Sequence, residues 1–195
     1  MHAETVFIVD DDPSVRDALS LLLSLRGYLT ATFASAEDFL GALQSDWRGC
    51  VIADIRMPGM SGLDLQQHLQ QRRPRLPVIV MTAHGDIAAA RQAFLADAVD
   101  FIEKPFAAEP MLAAVAKALS GLRAMGEAES AQRGLGLLSA REHQVMTLMV
   151  QGMHNRRIAE ALAISPRTVE VHKARVLEKT GVRNVVELIR LVSGH

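Results

Sequence analysis

The sequence predicts an α/β protein in two parts: a doubly wound, five-stranded parallel sheet over residues 1–120, then a second, all-α domain of four helices over 138–195. Three observations predict it. Short β-branched apolar runs alternate with longer helical patterns up to about residue 120, the signature of consecutive βα units. After residue 137 only helical patterns occur. Between the two parts, SGLRAMGEAESAQRGLG at 120–136 has four glycines and mixed charges without a sustained apolar stripe. Residues 121–137 are therefore expected to be a linker, with room for part of it to extend the preceding helix.

The strand candidates are TVFIV at 5–9, YLTATF at 28–33, CVIA at 50–53, PVIVM at 77–81 and AVDFI at 98–102. Pro13 suits the first turn of the first helix, and Gly27 lies just past its end. Ser35 with Asp38, and Ser61 with Asp64, place a hydroxyl three residues before a carboxylate, close to a capping box. In the second part, helices are expected over 139–151, opened by Ser139 and Glu142, and over 155–162, 166–179 and 183–193.

Composition excludes several classes. Apolar residues make up 49% and charged residues 22%, as in an ordinary globular chain with a packed core. No apolar run is long enough to span a bilayer, and the N-terminus MHAETVFIVDDD turns acidic where a signal peptide would stay apolar, so a cytoplasmic protein with no membrane partner is expected. The single cysteine, Cys50, sits beside the run VIA and reads as a core residue. Net charge is −5 over residues 1–120 and +4 over 138–195, so only the second part is suited to a polyanion.

The chemistry of the first part gathers at strand ends. Asp10 and Asp11 follow the first strand and Asp54 the third, which are neighbours if the strand order is 2-1-3-4-5. Carboxylates so close repel, and Mg²⁺ relieves this because it takes oxygen ligands and keeps several waters. Asp12, directly before Pro13, reads as a helix cap. Thr82 and Lys104 follow the fourth and fifth strands on the same edge. Each alone would be a turn residue or a surface charge; together with the acids they make a phosphoryl site.

The segments VDDD at 9–12, DIRMPGMSG at 54–62, MTAHGD at 81–86 and DFIEKPF at 100–106 resemble the receiver domain of two-component response regulators. The resemblance implies that Asp54 accepts a phosphoryl group from a sensor histidine kinase. It also implies Mg²⁺ held by Asp11, Asp54 and the backbone carbonyl of Arg56, with Asp10 acting mainly through water. Thr82, with Ala83 beside it, and the aromatic Phe101 would switch together, and Lys104 would bind the phosphoryl group. Phe101 stands where Tyr is frequent, so a hydroxyl contact is lost while the rotamer switch remains. Lys104-Pro105 corresponds to the family's cis peptide, and the surface from about residue 86 to 119 to a dimerisation face.

In the second part, NRRIAEALA, the break ISPR and TVEVHKARVLEK have helix-turn-helix spacing, with Ser165 as cap and Pro166 opening the second helix. At 100° per residue, Val169, Val176 and Leu177 share one face, opposite Arg167, Val171, Ala174 and Glu178. An exposed Val171 edged by Glu170 and Arg175 suits a thymine methyl and base edges in the major groove. Arg156, Arg167 and Lys173 are candidate phosphate contacts, with Lys173 near the inner face and needing to snorkel. His143, His154 and His172 have no regular metal spacing. The segment from Leu138 to Asn184 resembles the LuxR-type DNA-binding domain, and the whole chain is similar to the FixJ subgroup of response regulators. This implies Glu170, Val171 and Ala174 at base-facing positions, with Thr168 and Arg175 in the same interface. Helix 183–193 would carry a dimer contact on DNA, through Val186, Leu188, Ile189 and Val192.

The leading expectation is a phosphorylation-activated, dimerising transcription regulator that meets DNA and can meet RNA polymerase. A phosphohydrolase is disfavoured: Arg56 stands where a second acid two residues after Asp54 would act, and no Walker A, G-x-S-x-G or H-E-x-x-H pattern occurs. The other alternative is a phosphorylation-independent DNA-binding regulator with a vestigial acidic pocket.

Overall fold

Five parallel strands, β1 (Thr5–Val9), β2 (Leu29–Phe33), β3 (Gly49–Asp54), β4 (Val78–Ala83) and β5 (Asp100–Lys104), form one sheet in the order β2-β1-β3-β4-β5. The computed structural model describes residues 4–72, 76–83 and 98–193, with no side-chain placement for Arg72 and Ala83. The expected dimerisation face of residues 86–119 lies outside the described residues up to 97.

Strand register is what positions the chemistry. Val9 pairs with Ala53, so Asp10 and Asp54 occupy the next step on adjacent strands; Asp54 pairs with Met81, and Ala83 with Lys104. Because side chains alternate along a strand, one sheet face carries Phe7, Val9, Val51, Ala53, Val78 and Val80, which pack on Phe39, Leu65 and Leu69. Those three lie on α2 (Ala36–Ala42) and α3 (Gly62–Arg72). The other face carries Val6, Ile8, Cys50, Ile52, Ile79, Met81 and Ile102. It packs on Leu19 and Leu23 of α1 (Pro13–Ser24) and on Met111, Val115 and Leu119 of α4 (Ala108–Gly136). Burial on both faces explains why β3 is apolar from Cys50 to Ala53 rather than alternating. Cys50 is fully buried and its thiol is pushed up to about 12, first by desolvation, so it is an inert core residue.

The chain divides into two compact units, Met1–Leu122 and Arg123–His195, and the division falls within α4. That helix runs unbroken through the segment expected to be a linker. Each interior glycine costs a helix about 1 kcal/mol against alanine, but the intervening Leu, Arg, Met, Glu, Ala and Gln are strong helix formers. Gly134 has a packing reason as well: a Cβ there would overlap the backbone of Lys179 and Thr180.

The second unit adds α5 (Ala140–Val150), α6 (Asn155–Leu162), α7 (Pro166–Thr180) and α8 (Val185–Ser193). Its core gathers Val145, Met146, Met149, Ile158, Val169, Val176 and Leu188. A full capping box opens α5: Ser139 Oγ accepts from the Glu142 N–H, and Glu142 Oε2 accepts from the Ser139 N–H at 2.8 Å. The same carboxylate takes a bond from Lys179 Nζ at 2.7 Å, tying the end of α7 to the start of α5.

Lys179, together with these caps, holds the Glu142 carboxyl down at about 2. A carboxyl held low in the fold contributes stability that is complete above its ordinary value of 4.5 and is lost as pH falls through about 2. Glu142→Gln keeps the cap acceptor but removes the charge. It is expected to lower the melting temperature of the second unit by a few degrees at pH 7, with the deficit shrinking as pH falls below 4.5. Circular-dichroism melts across pH check this; equal melting at pH 7 would refute it.

Candidate functional site

The β1–α1 turn is an acidic loop held by its own hydrogen bonds. Asp10 is fully buried and its Oδ1 accepts from the Asp12 N–H at 2.9 Å. Asp12 caps α1 by accepting from the Ser14 N–H at 2.8 Å, as its place before Pro13 suggested. Arg16, in the first turns of α1, donates from Nη1 to the carbonyls of Asp10 at 2.7 Å and Asp11 at 3.0 Å. Asp11 itself is exposed.

Asp54 ends β3 at 7% exposure. The loop after it doubles back closely: Gly62 donates to the Ile55 carbonyl at 3.3 Å, and a Cβ at Gly62 would overlap the carbonyl of Asp54. Only glycine permits that approach. Glu37 of α2 pins the same loop by accepting from the Met60 N–H at 2.8 Å.

Lys104, at the end of β5, reaches across to both acids, 2.7 Å from Asp10 Oδ2 and 3.0 Å from Asp54 Oδ2. Burial lifts the Asp54 carboxyl above its ordinary value, against the opposing pull of Lys104 and of the Arg56 N–H. Burial also opposes the charge on Lys104, but its bonds to Asp10 and Asp54 prevail and raise it. The signs differ in consequence. Ionised Asp54 costs the fold stability as pH rises above 3.8, whereas the Lys104 contribution is complete below 10.5 and lost above its raised value.

Asp10, Asp11 and Asp54 each offer a carboxylate oxygen, all within 4.8 Å of one another. Three hard oxygen donors around one point match a small divalent cation such as Mg²⁺. Thr82 is 1% exposed, and its Oγ1 has no hydrogen-bond partner among the described residues. A buried hydroxyl without a partner is costly unless a ligand supplies one. Thr82 shares its sheet-face parity with Val80 and Phe101, and Val80 pairs with Phe101. Phe101 is half-buried against the α2–α3 side of the sheet. The Lys104-Pro105 peptide is cis. The sequence-derived residues Asp10, Asp11, Asp54, Thr82 and Lys104 thus lie along one sheet edge. Arg16 and Glu37 did not stand out in the sequence. One signal was available for Arg16: a cation in the opening turns of a helix opposes the macrodipole, so it needs another reason to be there.

In the second unit α6 ends on Ala163 in the left-handed region, at φ 52°, and Ser165 caps α7 by accepting from the Thr168 N–H at 3.0 Å. This tight turn sets the two helices as a helix-turn-helix. Val169 and Val176 are fully buried, while Val171 is 44% exposed and Arg167, Glu170, Ala174 and Arg175 are exposed around it. Lys173 is part-buried and donates to Asn155 Oδ1 at 2.8 Å, which is how its charge is met near the inner face. Arg156 lies 3.8 Å from Glu160 in an exposed pair. A pair of that kind contributes about 0.5 kcal/mol or less, too little to keep Arg156 from a phosphate. On α8, Val186 and Val192 are exposed at 60% and 42%, and Leu188 is buried.

Comparison with known proteins agrees with both halves. Residues 6–116 match the response regulator receiver domain, and residues 136–192 match the bacterial regulatory proteins of the luxR family. The chain is 42% identical over 190 residues to the transcriptional regulatory protein FixJ of Azorhizobium caulinodans, covering 95% of this chain and 90% of that one. It is 44% identical over 193 residues to the C4-dicarboxylate transport transcriptional regulatory protein DctR of Rhodobacter capsulatus, covering 96% and 98%. Among solved structures, full-length FixJ from B. japonicum matches with a TM-score of 0.62 at 37% identity, covering 99% of this chain and 97% of that one. These relatives are transcriptional regulators, not enzymes, and they do not favour a phosphorylation-independent reading. The chain belongs to the two-component response regulators that join a receiver domain to a LuxR-type DNA-binding domain.

Proposed function

We propose that a sensor histidine kinase phosphorylates this regulator on Asp54, and that phosphorylation promotes dimerisation and binding to DNA. The observation that carries the reading is the Lys104 ammonium shared by Asp10 and Asp54, together with the buried Thr82 hydroxyl, which has no partner among the described residues. An Asp54 oxygen attacks phosphorus, the P–N bond of the phosphohistidine breaks, and its electron pair stays on the imidazole nitrogen. The new acyl phosphate gives Lys104 and Thr82 oxygens to bond. Asp11, Asp54 and the carbonyl of Arg56 would hold Mg²⁺, with Asp10 acting through water. Bound there, Mg²⁺ would neutralise charge on the transferring group.

Thr82, with Ala83 next to it, and Phe101 carry the switch: a hydroxyl drawn to the phosphoryl group leaves space for the aromatic on the same face. The chemistry is limited to the chain's own phosphorylation and dephosphorylation. Residues 1–120 form the receiver and 138–195 the DNA-binding domain, joined by 121–137; the matched ranges support this division. On DNA, Glu170, Val171, Ala174 and Arg175 face the bases, while Arg156, Arg167, Thr168 and Lys173 serve the backbone. The protein acts in the cytoplasm, as a dimer that can contact RNA polymerase.

Incubation with acetyl phosphate and Mg²⁺ is expected to add the mass of one phosphoryl group, and Asp54→Asn to abolish the gain. An equal gain on the variant would overturn the assignment. For the second unit, Arg167→Ala is expected to weaken binding uniformly across DNA sequences and to reduce the salt slope by about one. Val171→Ala should instead change base preference. Titrations against a panel of sites separate the two, and indistinguishable profiles would refute the division of roles.

A further inference from the structure

We infer that Arg16 is a positioning residue for the acidic site: by clamping the Asp10 and Asp11 carbonyls from one nitrogen, it presets the loop that offers their carboxylates to a divalent cation. The inference rests on the proposed phosphoryl-transfer reading and extends it to a residue outside the acid, threonine and lysine set. The two bonds, at 2.7 and 3.0 Å, lie on consecutive peptide groups of a turn whose other ties are the Asp12 N–H to Asp10 Oδ1 and the Asp12 cap. Asp10 is locked from several sides, by burial, by Lys104 and by its backbone bond to Phe33. Asp11 is exposed, and the bond from Arg16 Nη1 to its carbonyl is what orders it. A carboxylate on an ordered peptide loses less freedom when it binds a cation, so an arginine holding the backbone raises affinity without touching the ion.

The positive charge of Arg16 acts the other way, since it repels a nearby cation. The two effects therefore differ in sign. Arg16→Met removes both donors and charge and keeps the aliphatic stem. If positioning dominates, Mg²⁺ binds more weakly; if charge dominates, more tightly.

The test is Mg²⁺ titration of the full chain by isothermal calorimetry, with Asp11→Asn defining the heat that belongs to this site, alongside melting without Mg²⁺. Arg16→Met is expected to raise the dissociation constant by roughly tenfold, the lower end of what groups that hold metal ligands in place contribute. Arg16→Lys, which keeps one donor group, should recover part of the loss. An unchanged or tighter constant in Arg16→Met overturns the inference, as does a lowered melting temperature with unchanged affinity, which would mark a purely structural residue. If the unaltered chain takes up no Mg²⁺ that Asp11→Asn removes, the metal-dependent reading itself fails, and the inference with it.

Discussion

One ammonium group, on Lys104, stands between two buried carboxylates, and the acidic site depends on it. Asp10 is sealed from solvent and Asp54 nearly so. Burial strips hydration from a carboxylate and a neighbouring carboxylate repels it, and both effects disfavour the charged form of Asp54. Lys104 counters both at 2.7 and 3.0 Å. It can do so because three strand ends meet on one edge: β1 and β3 are neighbours in the sheet, and the register brings β5 level with the end of β4. The site is thus a property of topology as much as of residue type. The loops are then trimmed to fit it, by Arg16 on the β1 side and by Glu37 and Gly62 on the β3 side.

The second unit is stabilised by different means. Its helices are short, and their ends are tied by the Ser139–Glu142 box, the Ser165 cap and the Lys179–Glu142 pair. Such ties fix where each helix begins, and so fix the rotation of α7 that leaves Val171 outward and Val169 inward. Arg141 adds another, donating to the carbonyl of Leu162 at the end of α6.

Much of this was legible in the sequence because the signals are local. Strand runs such as TVFIV and CVIA are β-branched and bounded by turn residues, and the helical wheel separates Val169 from Val171 without any tertiary information. Asp10, Asp54, Thr82 and Lys104 could be grouped because each lies at or next to the carboxyl end of a strand. What escaped depends on distance in the chain or on packing. Glu142 and Lys179 are 37 residues apart, so no window joins them. Glu37 meets the loop after β3 only once the sheet has formed. The helix through 121–136 was obscured by its glycines, where composition argued for a break and the surrounding helix formers, with the close contact at Gly134, outweighed it.

The role given to Lys104 is tested most directly by the titration of Asp54 itself. With carboxyl-labelled aspartate, the Asp54 resonance, assigned by its loss in Asp54→Asn, can be followed across pH without Mg²⁺ in the unaltered chain and in Lys104→Met. Asp54 should titrate above the ordinary aspartate value of 3.8 in the first and higher still in the second, because burial remains while its counter-charge is gone. The same midpoint in both would contradict the account: Lys104 would then not be the group that keeps Asp54 ionised.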